Sequence, residues 1–281
     1  MKVAVAIPTY NAENGCWDEV LQAVEQQGFA CDMKLIVDSG SSDQTCAVAE
    51  RYGWKCIRIR KEKFDHGGTR RKIVKYLYRK QFDTVVLMTQ DVVLSRPDSL
   101  RNLVKFLHQN SLAGCYGRQL SGNCGSLHKW QRERCYPENS SVKTKADISS
   151  LGLMTAFFSD AFGAWNIPLI MKYGAFPDAE FGEDTLLAGK LILEGHSLGY
   201  CAEAECHYEH KDDWRTLWIR GRQVGEMHRK EAWLIKTFGM PVTKQKDGKN
   251  PPLPLRALFS FCIKSAGYVF GKFISSKSRK V

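Results

Sequence analysis

The sequence predicts an α/β domain built on a mostly parallel sheet. Two observations carry this. Short apolar, β-rich runs recur in the first half: residues 3–11 (VAVAIPTYN), 35–43 (LIVDSGSSD) and 85–91 (VVLMTQD). Each ends in polar, turn-forming residues, as buried strands do. Between them lie segments with apolar residues at helical spacing, and strands alternating with helices imply parallel pairing through right-handed crossovers.

The elements follow in order. Asn14 is placed to cap a helix whose Trp17, Val20, Leu21 and Val24 keep the i, i+3, i+4, i+7 pattern, with Gly28 to end it. Strand 33–38 follows. Asp43 is placed to cap a helix over 44–52, stopped by Gly53. Strand 54–59 leads to two glycines, Gly67 and Gly68, before a helix that opens with Thr69 and Arg70 and turns Ile73, Val74 and Leu77 inward. Strand 83–88 leads to Asp91. Pro97 suits the first turn of a helix burying Leu100, Leu103, Val104 and Leu107. Residues 119–150 are polar and read as an insertion or active-site loop. A further helix starts near Gly182 and carries Leu186, Leu187, Leu191 and Ile192.

The chain has 281 residues, 43% of them hydrophobic, enough for a substantial core and against global disorder. The formal net charge of +11 calls for an anionic partner. Ten scattered cysteines without a C-x-x-C pair, behind an N-terminus with no signal-peptide pattern, are expected to be reduced.

Ligands of open α/β sheets bind beyond the carboxyl ends of the strands. Pro8 and Thr9, Asp38, and Gln90 with Asp91 all fall there. Asp38 closes an apolar strand with no local partner in view, and its carboxylate can accept from a pyrimidine N–H or a ribose hydroxyl. Asp91 can hold Mg²⁺ or Mn²⁺ when a diphosphate supplies further oxygens. The glycines of FDHGGTRR (64–71) offer backbone N–H groups at a helix start, where an anion is favoured. Glu183 and Asp184 begin a helix and point to different faces, so one can act as a general base while the other caps or pairs. His207 and His210 lie in HYEH, whose spacing matches no standard zinc finger and suits a single ligand or phosphate contact better.

Taken together, PTYN (8–11), VDSGSSDQT (37–45), TQD (89–91) and GED (182–184) come in the order of the family-2 glycosyltransferases, which the chain resembles over about residues 1–230. HGGTR (66–70), the TQD variant and FFSDAFGAW (157–165) are similar to the bacterial rhamnosyltransferase branch. The resemblance implies an inverting enzyme of the GT-A fold, a Rossmann-like sheet flanked by helices. It implies a nucleotide-sugar donor, dTDP-L-rhamnose, and a lipid-linked glycan acceptor in cell-surface polysaccharide synthesis. It assigns Asp38 to the nucleotide base, Arg70 to the base or diphosphate, and Asp184 to deprotonating the acceptor hydroxyl. Asp91 and His210 would hold the divalent metal, although the branch's histidine–serine–histidine step reads here as His207, Tyr208, Glu209, His210. The alternatives are a glycosyltransferase using another nucleotide sugar, a sugar nucleotidyltransferase, whose N-terminal glycine-rich loop is missing, and an inactive basic adaptor for membrane or nucleic acid, against which Asp38, Asp91 and Asp184 argue. No nucleic-acid partner is expected.

The expected organisation is a catalytic domain over 1–239, with a nucleotide half to about 118 and an acceptor half beyond. A linker follows over 240–254, then a basic amphipathic tail over 255–281. In the tail Leu255, Leu258, Phe259, Cys262, Ala266, Val269, Phe270 and Phe273 share one helical face, with Arg256, Lys264 and Lys272 opposite. Three charges argue against a spanning helix. The apolar face either packs on the domain or lies among headgroups of an anionic membrane, and the basic composition favours the membrane. The expected location is therefore cytoplasmic, peripheral at the inner face of the cell membrane.

Overall fold

The computed structural model describes residues 1–121, 126–208, 213–240 and 255–274. The first half comprises β1 (Val3–Thr9), α1 (Trp17–Glu25), β2 (Met33–Asp38), α2 (Thr45–Arg51), β3 (Lys55–Arg58), α3 (His66–Arg79), β4 (Thr84–Met88), β5 (Val92–Leu94) and α4 (Ser99–Gln109). The second half adds β6 (Gly114–Ser121), α5 (Ser126–Cys135), β7 (Ser141–Lys143), α6 (Ile148–Leu151), β8 (Phe162–Asn166), α7 (Ile167–Lys172) and α8 (Glu183–Leu193). It ends with β9 (Leu198–Tyr208), α9 (Trp214–Lys230), α10 (Ala232–Phe238) and α11 (Leu255–Phe273).

The described strands form one sheet in the order β3-β2-β1-β4-β8-β6-β9-β5, with β7 against β9. The first four are parallel, as the strand–helix alternation predicts. β8 joins β4 and β6 antiparallel, while β6 and β9 pair in parallel. Side chains alternate across the sheet. Ala4 and Ala6 of β1 pack with Val85, Leu87, Ile73 and Leu77 on one face. Val3, Val5 and Ile7 pack with Trp17, Leu21 and Leu103 on the other. Helices cover both faces, which is why β4 carries no solvent-exposed residue.

Local differences have local causes. Helix α1 begins at Trp17, after an uncapped Cys16, so Asn14 is not its cap. Asp43 does hold the start of α2, accepting from the Thr45 N–H (3.0 Å) and from the Glu13 N–H (3.1 Å). The segment 119–150 is not a loop: it contains the end of β6, α5, β7 and α6. Its polar sequence hides α5, which tertiary packing secures: Leu127 is fully buried against Leu217 and Ala257, and Arg132 donates to the Gln119 side chain (3.0 Å). The described cysteines are all free thiols.

The C-terminal helix is docked on the domain, so it is not a separate tail. Gly221 and Gly225 of α9 face α11, and Gly267 and Gly271 of α11 face α9. A Cβ at any of the four would collide with a backbone carbonyl of the partner helix: Lys264, Tyr268, Trp218 and Arg222 respectively. This is the small-xxx-small approach that brings helix backbones together. His228 and the Tyr268 hydroxyl (3.2 Å), and Arg229 donating to the Gly271 carbonyl (3.3 Å), tie the same seam. The apolar stripe expected to pack or insert points outward: Leu255 is 88% exposed, Phe259 75% and Phe273 71%. The helix therefore packs by its small-residue face, and packing of the apolar stripe on the domain is overturned. No helix of the described residues is long and apolar enough to cross a membrane.

Candidate functional site

The carboxyl ends of β1, β2 and β4 meet, and their polar residues bind one another. The fully buried Asp38 is not without local partners. Its carboxylate accepts from Thr9 Oγ1 (3.2 Å), the Gly40 N–H (3.1 Å), the Ser41 N–H (2.9 Å) and the Ser41 hydroxyl. Turn residues two and three positions ahead fold back on the strand end, a local geometry that the apolar run does not announce. Thr9 also receives the Ser39 hydroxyl on its carbonyl (2.9 Å). Pro8 sits in β1 opposite Val37. Gln90 clamps the Tyr10 main chain from both sides, accepting its N–H (2.8 Å) and donating to its carbonyl (3.1 Å).

Asp91 follows on the turn into β5, partly exposed. Its charge adds to burial in raising the thiol pKa of Cys206 on β9. Two nearby buried polar atoms, Thr89 Oγ1 and Nδ1 of His207, have no hydrogen-bond partner among the described residues. His210 lies outside the described residues. Among the described residues no cluster of three or more His, Cys, Asp or Glu side chains could hold a metal. Asp91 is a hard carboxylate ligand, and an octahedral Mg²⁺ or Mn²⁺ completed by phosphate oxygens needs no more than one or two such groups.

The two glycines of HGGTR do not form an anion cradle. Helix α3 already begins at His66, with Asp65 as its cap. The Gly67 N–H donates to the Ala179 carbonyl (3.1 Å), and the Gly68 N–H binds the Asp65 carboxylate. A Cβ at Gly67 would strike the Pro177 carbonyl, so this glycine permits close packing of α3 on the segment before α8.

That packing aligns an acidic cluster. Glu183 is buried and ion-paired with Arg70. Arg70, only 6% exposed, also pairs with Asp160 (3.3 Å), so two carboxylates hold its guanidinium at the cleft. Asp160 is fully buried and accepts from the Trp165 indole (2.7 Å). Asp184 accepts from the Asp160 N–H (3.2 Å) and the Thr185 N–H (2.7 Å). Burial raises its pKa, with Arg70 pulling against the shift. Of the two adjacent acids, then, Glu183 is ion-paired with Arg70, and Asp184 is held by backbone N–H groups. Asp160 is the residue that sequence reasoning missed. The signal was an acid inside the apolar run FFSDAFGAW.

A cleft of about 590 Å³ opens over this cluster. Thr89 at the end of β4, Phe157, Asp184, Met227 and His228 of α9, and Lys264 of α11 mark its walls. Arg70 and Asp184 line it; Pro8, Thr9, Asp38, Gln90 and Asp91 do not. A second cavity of about 500 Å³, with Tyr173 and Trp233 in its wall, holds none of the residues expected from sequence.

The profile described as "Glycosyl transferase family 2" matches residues 4–172, and so contains Asp38, Asp91 and Asp160. The chain belongs to glycosyl transferase family 2. Asp184 lies beyond the matched stretch, but two curated relatives reach across it. The chain is 33% identical to the O-antigen chain rhamnosyltransferase RfbN of Salmonella typhimurium, over 97% of this chain and 90% of that protein. It is 31% identical to the O-antigen chain rhamnosyltransferase WbaN of Salmonella anatum, over 95% and 88%. Among solved structures, the mannosyltransferase PcManGT from Pyrobaculum calidifontis, in complex with GDP-Man and Mn²⁺, superposes with a TM-score of 0.59 at 19% identity, over 98% of this chain and 76% of that one. S. aureus TarS 1-349 in complex with UDP gives 0.57 at 17% identity, over 85% and 70%. This glycosyltransferase thus has the GT-A fold expected of its family.

Proposed function

We propose that this family-2 glycosyltransferase transfers L-rhamnose from dTDP-rhamnose to a hydroxyl of a lipid-linked glycan, with inversion at the anomeric carbon. The single observation that carries the mechanism is the arrangement at the start of α8: both acids line the cleft, Glu183 ion-paired with Arg70 and Asp184 accepting from the backbone N–H groups of Asp160 and Thr185, with its pKa raised by burial. Asp184 accepts the acceptor hydroxyl's proton as that oxygen bonds to the anomeric carbon. The bond from that carbon to the diphosphate oxygen breaks on the opposite face, and the nucleoside diphosphate leaves with the electron pair. No covalent nucleophile is needed. Asp160 and Arg70 position the base, since Asp160 donates its backbone N–H to Asp184 and receives Arg70 on its carboxylate.

Asp38 and Thr9, with Pro8 and Gln90 holding the strand ends, form the seat for the nucleotide, Asp38 releasing the Ser41 hydroxyl to accept from the base. Asp91 would hold Mg²⁺ or Mn²⁺ together with the diphosphate, and His210 is its second protein ligand in this reading. Such an ion supplies charge neutralisation to the leaving diphosphate. The rhamnosyl donor rests on the two relatives named as rhamnosyltransferases. The outward stripe of α11 and the net charge of +11 support contact with an anionic membrane, where such an acceptor resides.

The test is transfer from a panel of nucleotide sugars with Mg²⁺ or Mn²⁺ present. Preferential turnover of dTDP-rhamnose is expected. Preference for a GDP- or UDP-sugar would overturn the donor, and failure with every sugar would overturn the activity.

A further inference from the structure

We infer that the second cavity is a saccharide-binding site, which grips the acceptor glycan at residues beyond the one that reacts. The inference rests on the transferase reading above and concerns a site that the sugar transfer itself does not use.

The cavity, of about 500 Å³, shares its supporting elements with the catalytic cleft. Helix α8 opens at Glu183 and Asp184 in the cleft, and its Leu186, Leu187, Lys190 and Leu193 line the cavity. Six helical residues, from Asp184 to Lys190, span about 9 Å. The segment between α7 and α8 runs from one to the other, with Pro177 in the cavity wall and Phe181 in the cleft wall. On α3 the neighbours Arg70 and Arg71 line the cleft and the cavity respectively. An oligosaccharide with its reacting hydroxyl at Asp184 thus has a second resting place within its own length.

Two aromatic side chains are held at the cavity by their polar edges. The Trp233 indole N–H donates to the Glu231 carboxylate (2.9 Å). The same ring lies against α8 where Gly189 leaves room, since a Cβ there would stand 3.2 Å from it. The Tyr173 hydroxyl is hydrogen-bonded to Nε2 of His196 (2.7 Å), and the Tyr173 carbonyl accepts from the Lys190 ammonium (3.0 Å). Both rings belong to half-buried residues, and the fully buried Phe176 and the leucines of α8 complete an apolar wall.

The charged residues of the lining are two cations, Arg71 and Lys190, and two acids, Glu194 and Glu231, so no net charge selects an ion. Arg71 pairs with Asp178, Lys190 binds the Tyr173 carbonyl and Glu231 receives Trp233. These groups need no counter-ion, yet guanidinium, ammonium and carboxylate each offer more hydrogen-bonding positions than those contacts use. The matching ligand is neutral, has an apolar face, and carries donors and acceptors around its edge. A sugar ring fits: its C–H groups rest on aromatic faces, and its hydroxyls both donate and accept. A lipid chain fits less well, because it strips water from the charged groups and returns no hydrogen bond. A mostly apolar cavity of this size with a few polar groups has the form of a small-ligand site.

The test uses the full chain. The probes are saccharides cut from the parent organism's cell-surface polysaccharide: a fragment of several residues, and its terminal residue as the methyl glycoside. Calorimetry measures binding of the fragment without donor, and transfer assays give KM for both probes. Trp233→Ala is expected to weaken fragment binding roughly 10-fold and to raise the fragment's KM by a similar factor, so that the wild type's preference for the fragment over the methyl glycoside is lost. Trp233→Phe, which keeps a ring, should recover most of it. If Trp233→Ala does not fold, Lys190→Ala, at an exposed position of the rim, is read the same way. Fragment affinity that these substitutions leave unchanged overturns the site. Binding of decanol that Trp233→Ala abolishes, with no binding of the fragment, would make the cavity a lipid pocket and overturn it too. Turnover of the methyl glycoside by the wild type reports on the transferase reading separately, since the calorimetry needs no transfer.

Discussion

At the scale of single residues, the proposed mechanism rests on Asp184 as the base. Asp184→Asn should lower transfer by about 10²-fold or more while leaving dTDP affinity intact, because the base acts on the acceptor. Near-normal turnover of the purified variant would remove it from the mechanism. The base works only when deprotonated, and burial raises its pKa. Activity should therefore fall, as pH drops, at a higher pH than an unshifted aspartate would give. Asp91→Ala should abolish the Mn²⁺-dependent part of dTDP binding in calorimetry, and wild-type binding that EDTA leaves unchanged would dismiss the metal. Lys143 gives a stability test away from the site. Its ammonium is buried, donates to the Met154 carbonyl (3.2 Å) and lies over the Tyr116 ring (5.0 Å). Burial pushes its pKa down from 10.5 to about 7. Between those values the unfolded chain holds a proton that the folded chain has released, so Lys143's contribution to stability rises with pH across that window. Below about 7 both states are protonated and the burial cost is present in full. Lys143→Met should flatten that rise in denaturant titrations from pH 7 to 10, and an unchanged slope would show that Lys143 stays charged.

Among the elements, the α9–α11 pair decides most. It walls the cleft, and four glycines set its spacing. Gly225→Leu puts a side chain where the Tyr268 carbonyl lies, and no rotamer escapes a backbone atom. The cost should exceed the ~1–3 kcal/mol of ordinary overpacking, visible as a Tm several degrees lower. Transfer should fall with it, since Lys264 reaches the cleft only while the helices touch. A variant with wild-type Tm would mean that α11 is not docked in solution. Deleting 255–281 should likewise destabilise the catalytic domain, because it strips the glycine face of α9.

For the molecule as a whole, the proposed membrane contact joins the net charge to the outward stripe of α11. The triple variant Leu255→Ser/Phe259→Ser/Phe273→Ser leaves the glycine seam untouched, so its Tm should stay within about 2 °C of wild type. Its binding to vesicles with anionic lipid should drop sharply, because stable attachment needs both insertion and charge. Wild-type binding should weaken with salt without vanishing. A triple variant that sediments with vesicles as the wild type does would remove α11 from the membrane contact.

The sequence by itself determined the parallel half of the sheet, the strand-end position of Asp38 and Asp91, and the family, through the order of its motifs. These are local: two-residue alternation, helical spacing and turn residues are written in consecutive positions. It also narrowed the base to Glu183 or Asp184. The resemblance chose Asp184, and only the tertiary structure showed what holds Glu183, because that pairing depends on Arg70, more than a hundred residues earlier. Asp160 and the partners of Asp38 surfaced for the same reason, being contacts across the sheet or within a folded-back turn. Helix α5 escaped notice because its sequence is polar and its stability comes from Leu217 and Ala257 on distant elements. The stripe of α11 was legible, but not its direction. Apolar periodicity marks an amphipathic helix without saying what covers it, and here four glycines on two helices claimed the opposite face for the domain.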